Sequence, residues 1–300
     1  MNFIVWRGKS RHFPLMTYTH LSQAALRPLQ ALLLGCAVLM ISLAPLRAAD
    51  RDRLEAFLEV TGFDVALESI KLSAGAAPEM LGVDPGIFGS EWTRLSEDVF
   101  DVPLMHDMAL EILEQTLSDD LLVHAADFYA SDLGQRLVEV ENASHLREDD
   151  DAKRDEGRDL VAQWVQDANP RLEILKRMNA AVNSGSAGVR AFQEIQFRFL
   201  IAAAGAGVLE LRVDPDELRA ILQRDEARLR IALQESSLAS AATTYLTIPD
   251  DDLVAYAEAL EHPMMQEVYV LMNAVQYEIM ANRFEVLAAR MKDLQPGQEL

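Results

Sequence analysis

Residues 118–142 read SDDLLVHAADFYASDLGQRLVEVEN, and this stretch decides the fold class. Its apolar residues recur at steps of three and four, the spacing that places them on one face of a helix. The Ala-Ser step at 130–131 interrupts this spacing, so the stretch predicts two amphipathic helices joined at Ser131. Serine suits such a joint because its side chain can accept a backbone N–H at the start of a helix.

The residues around this joint form the candidate site. We expect Phe128 to face the core, and Tyr129 to lie at the edge of its helix with its hydroxyl in water. Gly134 falls inside the second helix, where glycine is unfavourable unless another backbone must approach closely. A groove for a ligand at this joint would be formed by Phe128, Tyr129, Ser131, Leu133 and Gly134. The alternative is a purely structural joint between two helices.

The rest of the chain has the same helical spacing, and alternating strand patterns are almost absent. Helices are predicted at 51–60, 64–75, 90–99, 103–116, 119–130, 132–167, 171–183, 187–205, 215–236, 250–261 and 264–292. This pattern predicts an all-α protein built as an irregular bundle of antiparallel helices.

Several breaks between these helices have recognisable signals. Asp214 followed by Pro215 predicts a capped helix with proline at its first position. Thr247 with Asp250 approximates a capping box, in which Asp replaces the usual Glu or Gln. The sequence SGS at 184–186 predicts a turn.

Segments in the first part of the chain are similar to segments in the second part. LGVDP at 81–85 is similar to LRVDP at 211–215, and residues 118–142 can be laid on 250–274 without a gap. Apolar positions coincide better than identities do, which predicts two related helical halves. The alternative is that any two acidic amphipathic helices look alike. The predicted halves are residues 49–168 and 169–300.

The first 48 residues predict a secretory signal peptide. Residues 1–49 contain five basic and no acidic side chains, and an apolar run covers 31–46. A basic segment, a short apolar segment and an Ala-rich exit are typical of a signal peptide, with cleavage predicted after Ala48. Either Met1 or Met16 can start the chain. The prediction is a periplasmic protein with no stable membrane span after cleavage.

Two alternatives to a cleaved signal peptide stay open. The first is an uncleaved single N-terminal anchor. The second is a lipoprotein, because Leu33-Leu34-Gly35-Cys36 is similar to a bacterial lipobox. However, the apolar segment continues beyond Cys36, where a lipobox segment should end. Lipidation would change the prediction from a soluble to a membrane-anchored protein.

Charge and cysteine content exclude several classes of function. The chain has 27 basic and 48 acidic side chains, and five of the basic ones lie in the predicted signal peptide. The remaining net charge of −26 repels nucleic acid and anionic lipid headgroups, so neither is expected as a partner. The one cysteine also lies in the signal peptide, which excludes a disulfide, a thiol nucleophile and a thiolate metal site from the mature chain.

No catalytic residue, cofactor or metal site is predicted. The histidines of the mature chain are His106, His124, His145 and His262. His145 and Asp149 are four residues apart on one predicted helix, but one histidine with carboxylates specifies no metal geometry. His262 with Met264 and Met265 is similar to a soft copper site. Met265 also falls on the apolar face of its helix, so core packing is the predicted role.

The stretch at 115–140 resembles the core of a known family, the domain of unknown function 2059. That family has an acidic helix ending in Phe-Tyr-x-Ser-x-x-Gly and a second amphipathic helix, and the motif falls here on Phe128, Tyr129, Ser131 and Gly134. The resemblance implies an exported, helical bacterial protein, and it implies no activity or catalytic residue. The second half departs from the motif, with Glu261, Pro263 and Gln266 in place of the tyrosine, serine and glycine.

These observations predict a non-catalytic binding or envelope-maintenance module of the periplasm. Its partner would be a protein, a peptide or an apolar small ligand held in a helical groove. The alternatives are a hydrolase or metal-assisted enzyme with a carboxylate-based site, and a structural oligomer. The sequence leaves the oligomeric state open.

Overall fold

Helices make up nearly all of the part of the chain that the structure describes, and this part contains no strand. The computed structural model describes residues 50–77, 89–147, 149–182 and 186–294. They belong to one compact unit that spans Arg47–Leu300. The prediction of an all-α protein is confirmed.

The α-helices of the described residues are named here in chain order. They are α1 Arg51–Thr61, α2 Phe63–Ser69, α3 Gly89–Val99, α4 Val102–Thr116, α5 Asp119–Tyr129, α6 Asp132–His145, α7 Asp150–Gln166, α8 Arg171–Val182, α9 Ser186–Gly205, α10 Pro215–Arg224, α11 Glu226–Thr244, α12 Asp250–Leu260 and α13 Pro263–Arg290. Short 3-10 helices follow α2 at Ile70–Ala76 and α13 at Met291–Asp293.

Local sequence explains where several helices begin. The side chain of Asp214 accepts the backbone N–H of Glu217 at 2.9 Å, and Pro215 is the first residue of α10, as predicted. The predicted capping box before α12 is wrong. Pro249 precedes this helix without a side-chain cap, and three aspartates in the first turn complement the helix dipole instead.

Two long predicted helices are each divided into two. The predicted helix 132–167 is interrupted between α6 and α7, where the Asp149 side chain accepts the N–H of Ala152 at 2.9 Å and starts a new helix. The predicted helix 215–236 breaks at Asp225. The carbonyl of Leu222 accepts the backbone N–H of Asp225 at 3.3 Å, and the Gln193 side chain of α9 donates to it at 2.9 Å, so a tertiary contact adds a second hydrogen bond at the break.

The core centres on α13, which contacts α3, α4, α5 and α9. Its buried residues Val268, Met272, Val275 and Ile279 follow one another at steps of four and three, so they form one continuous face. Further along the same helix, the ring of Phe284 meets two aromatic rings in edge-to-face contacts. These are Phe100 at 5.4 Å and Phe199 at 5.8 Å between ring centroids.

A second contact brings α7 very close to α11. A Cβ atom at Gly157 would lie 2.2 Å from the carbonyl oxygen of Ala239, a distance that real Cβ atoms do not reach. Glycine at 157 and alanine at 239 therefore let the two backbones pack together.

Some predictions fall outside the described residues. They are the signal peptide with its alternatives, the LGVDP segment at 81–85 and most of the turn at 184–186. The division into two related halves stays a prediction. Helices from both predicted halves contribute to the same core, because α13 packs against α3, α4 and α5.

None of the helices of the described residues combines the length and the apolar character that crossing a bilayer requires.

Candidate functional site

The joint between α5 and α6 has the predicted construction. The Ser131 hydroxyl accepts the backbone N–H of Gly134 at 3.1 Å, and it donates to the carbonyl of Phe128 at 2.6 Å. One side chain therefore starts α6 and also adds a hydrogen bond to a carbonyl at the end of α5, which accepts the backbone N–H of Ser131 as well. The role of Ser131 as a helix start is confirmed.

Gly134 allows a close backbone contact, and the neighbour is the end of the preceding helix. A Cβ atom at this position would lie 2.3 Å from the carbonyl oxygen of Phe128 and 2.5 Å from the Cα of Tyr129. Every other residue type carries that atom. Glycine is therefore required for the tight turn from α5 into α6.

The expectation that Tyr129 keeps its hydroxyl in water is wrong. Tyr129 is 3% exposed, whereas Phe128 is only half-buried. Tyr129 continues the buried face formed by Leu122 and Ala125, at the steps of three and four that one helix face requires. That face turns toward α13, so the phenol points into the protein.

Four tyrosines and one glutamate form a cluster, called here the phenol cluster: Tyr129, Tyr245, Tyr256, Tyr269 and Glu141. The hydroxyl of Tyr256 lies 3.0 Å from that of Tyr129 and 3.0 Å from that of Tyr269, and the hydroxyls of Tyr129 and Tyr269 are also hydrogen-bonded. Tyr245 and Tyr256 donate to Oε1 of Glu141 at 2.6 and 3.0 Å. Residues from both predicted halves therefore meet at one carboxylate.

The electrostatics of the cluster follow from its burial. Burial raises the pKa of Tyr129, Tyr245, Tyr256 and Tyr269, and the negative charge of Glu141 raises each of them further. The phenols stay protonated at neutral pH and act as hydrogen-bond donors. Burial also raises the pKa of Glu141, while the hydrogen bonds from Tyr245 and Tyr256 oppose that rise.

Two cavities meet at the cluster, and Glu141, His145 and Tyr269 line both of them. Cavity A has a volume of about 220 Å³ and is bounded by α1, α2, α6 and α13. Cavity B, of about 420 Å³, lies against α6, α7, α8, α11 and α12. The lining of cavity A is mainly apolar and includes Phe57, Phe63, Ala66, Val268 and Met272.

Of the five predicted groove residues, Tyr129 lines cavity A, whereas Phe128, Ser131, Leu133 and Gly134 are not part of its lining. Sequence reasoning missed Glu141, Tyr245, Tyr256 and Tyr269. One available signal was the tyrosine content, because the chain has six tyrosines and four of them meet in this cluster.

The structure also shows where the histidines that were weighed as metal ligands lie. The predicted placement of His145 and Asp149 on one helix face is wrong, because α6 ends at His145 and Asp149 caps the following helix. Met265 is buried in the core, as predicted. His262 instead stacks on His124, with ring centroids 4.4 Å apart. No group of three metal-binding side chains occurs within the described ranges.

The burial of Glu141 predicts a pH-dependent difference between the wild-type protein and Glu141→Gln. The raised pKa means that the folded state disfavours the ionised carboxyl. Its stabilising contribution is therefore complete below the usual pKa of 4.5 and is lost as the pH rises through the raised pKa. We expect the free energy of unfolding of the wild type to fall relative to the variant as the pH rises from 4.5 towards neutral.

Urea unfolding of both proteins across this pH range measures the difference. Other titrating groups are present in both proteins, so their contributions cancel in the comparison. A difference that stays constant with pH would contradict a raised pKa for Glu141.

Comparisons with known proteins gave a match to one segment of the chain. A search of curated proteins and a search of solved structures each gave no match. Residues 104–170 match the model of a family described as "Uncharacterized protein conserved in bacteria (DUF2059)". This segment contains Tyr129 and Glu141, whereas the other three phenols lie outside it. The match confirms that residues 104–170 resemble the domain of unknown function 2059, as the Phe-Tyr-x-Ser-x-x-Gly motif predicted.

Proposed function

We propose that this protein is an exported, non-catalytic binding module that holds a small, largely apolar ligand in cavity A. The observation that carries the proposal is a cavity with a mainly apolar lining that includes a few polar side chains. Such a combination is typical of small-molecule sites, in which apolar contacts supply affinity and polar groups fix orientation.

The wall of cavity A combines stiff and adaptable parts. Gly62 has a φ of 70° in the left-handed region, and it links α1 to α2 directly against α6. A Cβ atom there would lie 2.4 Å from Oδ1 of Asn142, so this wall is closely packed. From α13, Met272 supplies a flexible thioether that can adjust to the shape of a ligand.

A few polar side chains lie within this mainly apolar lining. Glu141 and Asn142 of α6 lie in the lining together with Asn273 and Gln276 of α13. Glu141 is held in place by two phenol hydrogen bonds, and the side chain of Asn273 donates to the carbonyl of Val182 at 2.9 Å. Because these groups are fixed before a ligand arrives, binding requires little further ordering of the protein.

Export is the second part of the proposal. It rests on the basic and apolar leader of residues 1–48 and on the family resemblance of residues 104–170. Fractionation of bacterial cells that produce the full chain, together with the intact mass of the product, tests it. The expected result is a periplasmic protein that has lost its leader, and an unprocessed cytoplasmic product would contradict it.

Filling cavity A is expected to weaken ligand binding. Ala66→Leu adds three carbon atoms to a residue of the cavity lining. Ala143→Leu adds the same atoms to an exposed position of α6 and serves as the matched control. A set of small fragments is screened against all three proteins by ligand-observed NMR. We expect fragments that bind the wild type and Ala143→Leu, and that bind Ala66→Leu at least about tenfold more weakly, a difference of about 1.4 kcal/mol.

Two outcomes would contradict this part of the proposal. The first is that no fragment binds the wild type. The second is that the bound fragments retain their affinity in a folded Ala66→Leu protein. Circular dichroism shows whether that variant is folded.

A further inference from the structure

Glu141 is a carboxylate without a cation. The ion pairs of the described residues do not include it, and both of its hydrogen bonds are made by phenols to the same oxygen, Oε1. Oε2 accepts no hydrogen bond from a described residue, and it is not among the buried side-chain atoms that lack a partner. Oε2 is therefore not fully buried, and Glu141 lines both cavities.

The Glu141 carboxylate lacks full compensation for the hydration that it loses on burial. Moving an ionised carboxyl out of water is costly unless it is paired with a charge and fully hydrogen-bonded. Two phenols supply part of that compensation at Oε1, but they bring no positive charge. A ligand with a positively charged donor group would supply the missing positive charge by making a charge-assisted hydrogen bond to Oε2.

The two cavities differ in the charges of their walls. The lining of cavity A contains Glu141 and His145 and no lysine or arginine. Lys153 lines cavity B, where its positive charge disfavours a second cation. The aromatic rings of Phe57, Phe63 and Tyr129 are also part of the lining of cavity A, and ring faces attract cations. Cavity A is therefore the side of Glu141 that suits a cation.

The volume restricts the size of the ligand. At about 220 Å³, cavity A is smaller than the range of roughly 300–1,000 Å³ that is typical of sites for drug-sized ligands. Its mainly apolar wall requires an apolar body, and its one acidic side chain matches one positive charge. The net charge of the chain, −21, also raises the local concentration of cations and lowers that of anions.

We propose that cavity A selects a small primary amine, with a protonated amino group bound to Oε2 of Glu141 and an apolar body against the aromatic and aliphatic wall. This inference rests on the proposed function, because it names the ligand class of the same cavity. Glu141 acts as the counter-ion, and the phenol cluster positions its carboxylate.

Three probes of similar shape test the charge preference. Benzylamine is a cation at neutral pH, benzyl alcohol is neutral and benzoate is an anion. Titration calorimetry of the wild-type protein with each probe is expected to give the tightest binding for benzylamine. Benzyl alcohol should bind at least about tenfold more weakly, which corresponds to about 1.4 kcal/mol. Benzoate should show no binding.

A pair of variants tests whether the carboxylate of Glu141 causes the preference for benzylamine. Glu141→Gln keeps the shape of the side chain and removes its charge. Glu139→Gln removes the same charge from an exposed position of the same helix and serves as the control. We expect Glu141→Gln to lose the preference for benzylamine over benzyl alcohol and Glu139→Gln to keep it. The wild-type comparison of the three probes stays decisive if Glu141→Gln does not fold.

The outcomes separate this inference from the proposed function. If benzyl alcohol binds as tightly as benzylamine and Ala66→Leu loses both, the amine preference is wrong and cavity A remains a binding site. If neither probe binds, but other fragments bind the wild type and lose affinity in Ala66→Leu, the amine preference is again wrong and the proposed function stands. If no fragment of any kind binds, both proposals are overturned. Equal preference in Glu141→Gln and the wild type would also overturn the role of Glu141.

Discussion

Replacing Tyr129 with alanine is expected to lower the free energy of unfolding by about 3–5 kcal/mol, the cost of removing a large buried ring. The ring is 3% exposed and packs against Phe128, with ring centroids 5.1 Å apart. Its hydroxyl also bonds to those of Tyr256 and Tyr269, and these two would lose a partner. Urea unfolding at neutral pH measures the change.

Two other variants separate the contributions to this loss. Tyr129→Phe keeps the ring and removes the hydroxyl, and it should lower the free energy of unfolding by about 1 kcal/mol. The loss is small because Tyr256 and Tyr269 remain bonded to each other at 3.0 Å. Leu133→Ala, at a half-buried position, should cost less than Tyr129→Ala. Unchanged stability of Tyr129→Ala would show that the ring is not buried.

Replacing Gly134 with alanine is expected to lower the free energy of unfolding by about 3 kcal/mol, at the upper end of typical overpacking effects. The added Cβ would meet the carbonyl oxygen of Phe128 at 2.3 Å and the Cα of Tyr129 at 2.5 Å. Both atoms belong to the backbone, so a change of side-chain rotamer cannot relieve the clash. The turn between α5 and α6 must open instead.

Gly75 provides the matched control for this prediction. A Cβ atom at Gly75 would have no atom within 4 Å, and its backbone is helical. Gly75→Ala should therefore leave stability unchanged or raise it slightly, because alanine restricts the unfolded chain more than glycine does. Thermal unfolding followed by circular dichroism compares the two variants. Equal effects of both substitutions would contradict the role of the close contact at Gly134.

The helical architecture could be predicted because its signals are local. The helix boundaries at Ser131 and Pro215 depend on side chains that act within three residues of their own position. Most predicted helices agree with the structure to within one or two residues. The same local signals explain why the apolar faces of α5, α6, α12 and α13 are buried or half-buried as expected.

The breaks at 146–149 and at Asp225 could not be predicted in the same way. Both segments have polar sequences that suit a continuous helix as well as a bend. The first bend lets Gly157 approach Ala239, and the second is stabilised by the hydrogen bond from Gln193 to the carbonyl of Leu222. These contacts join residues distant in sequence, so no local pattern contains them.

The candidate site was predicted in part. The motif located Tyr129 and the roles of Ser131 and Gly134, but it placed the phenol in water. The buried face of α5 meets α13, and this packing turns the hydroxyl of Tyr129 toward Tyr269. In the sequence, Glu141 resembles any other acidic residue of an amphipathic helix. Its role depends on hydrogen bonds from Tyr245 and Tyr256, which are more than 100 residues away along the chain.

The sequence by itself therefore determined the all-α class, the joint at Ser131 and the need for glycine at 134. Each of these depends on backbone geometry and on side chains a few residues apart. The tertiary structure alone decided which polar groups are buried together. Four phenols and one carboxylate meet because α5, α6, α12, α13 and the end of α11 come together, and the burial that raises the pKa of Glu141 arises only from that packing.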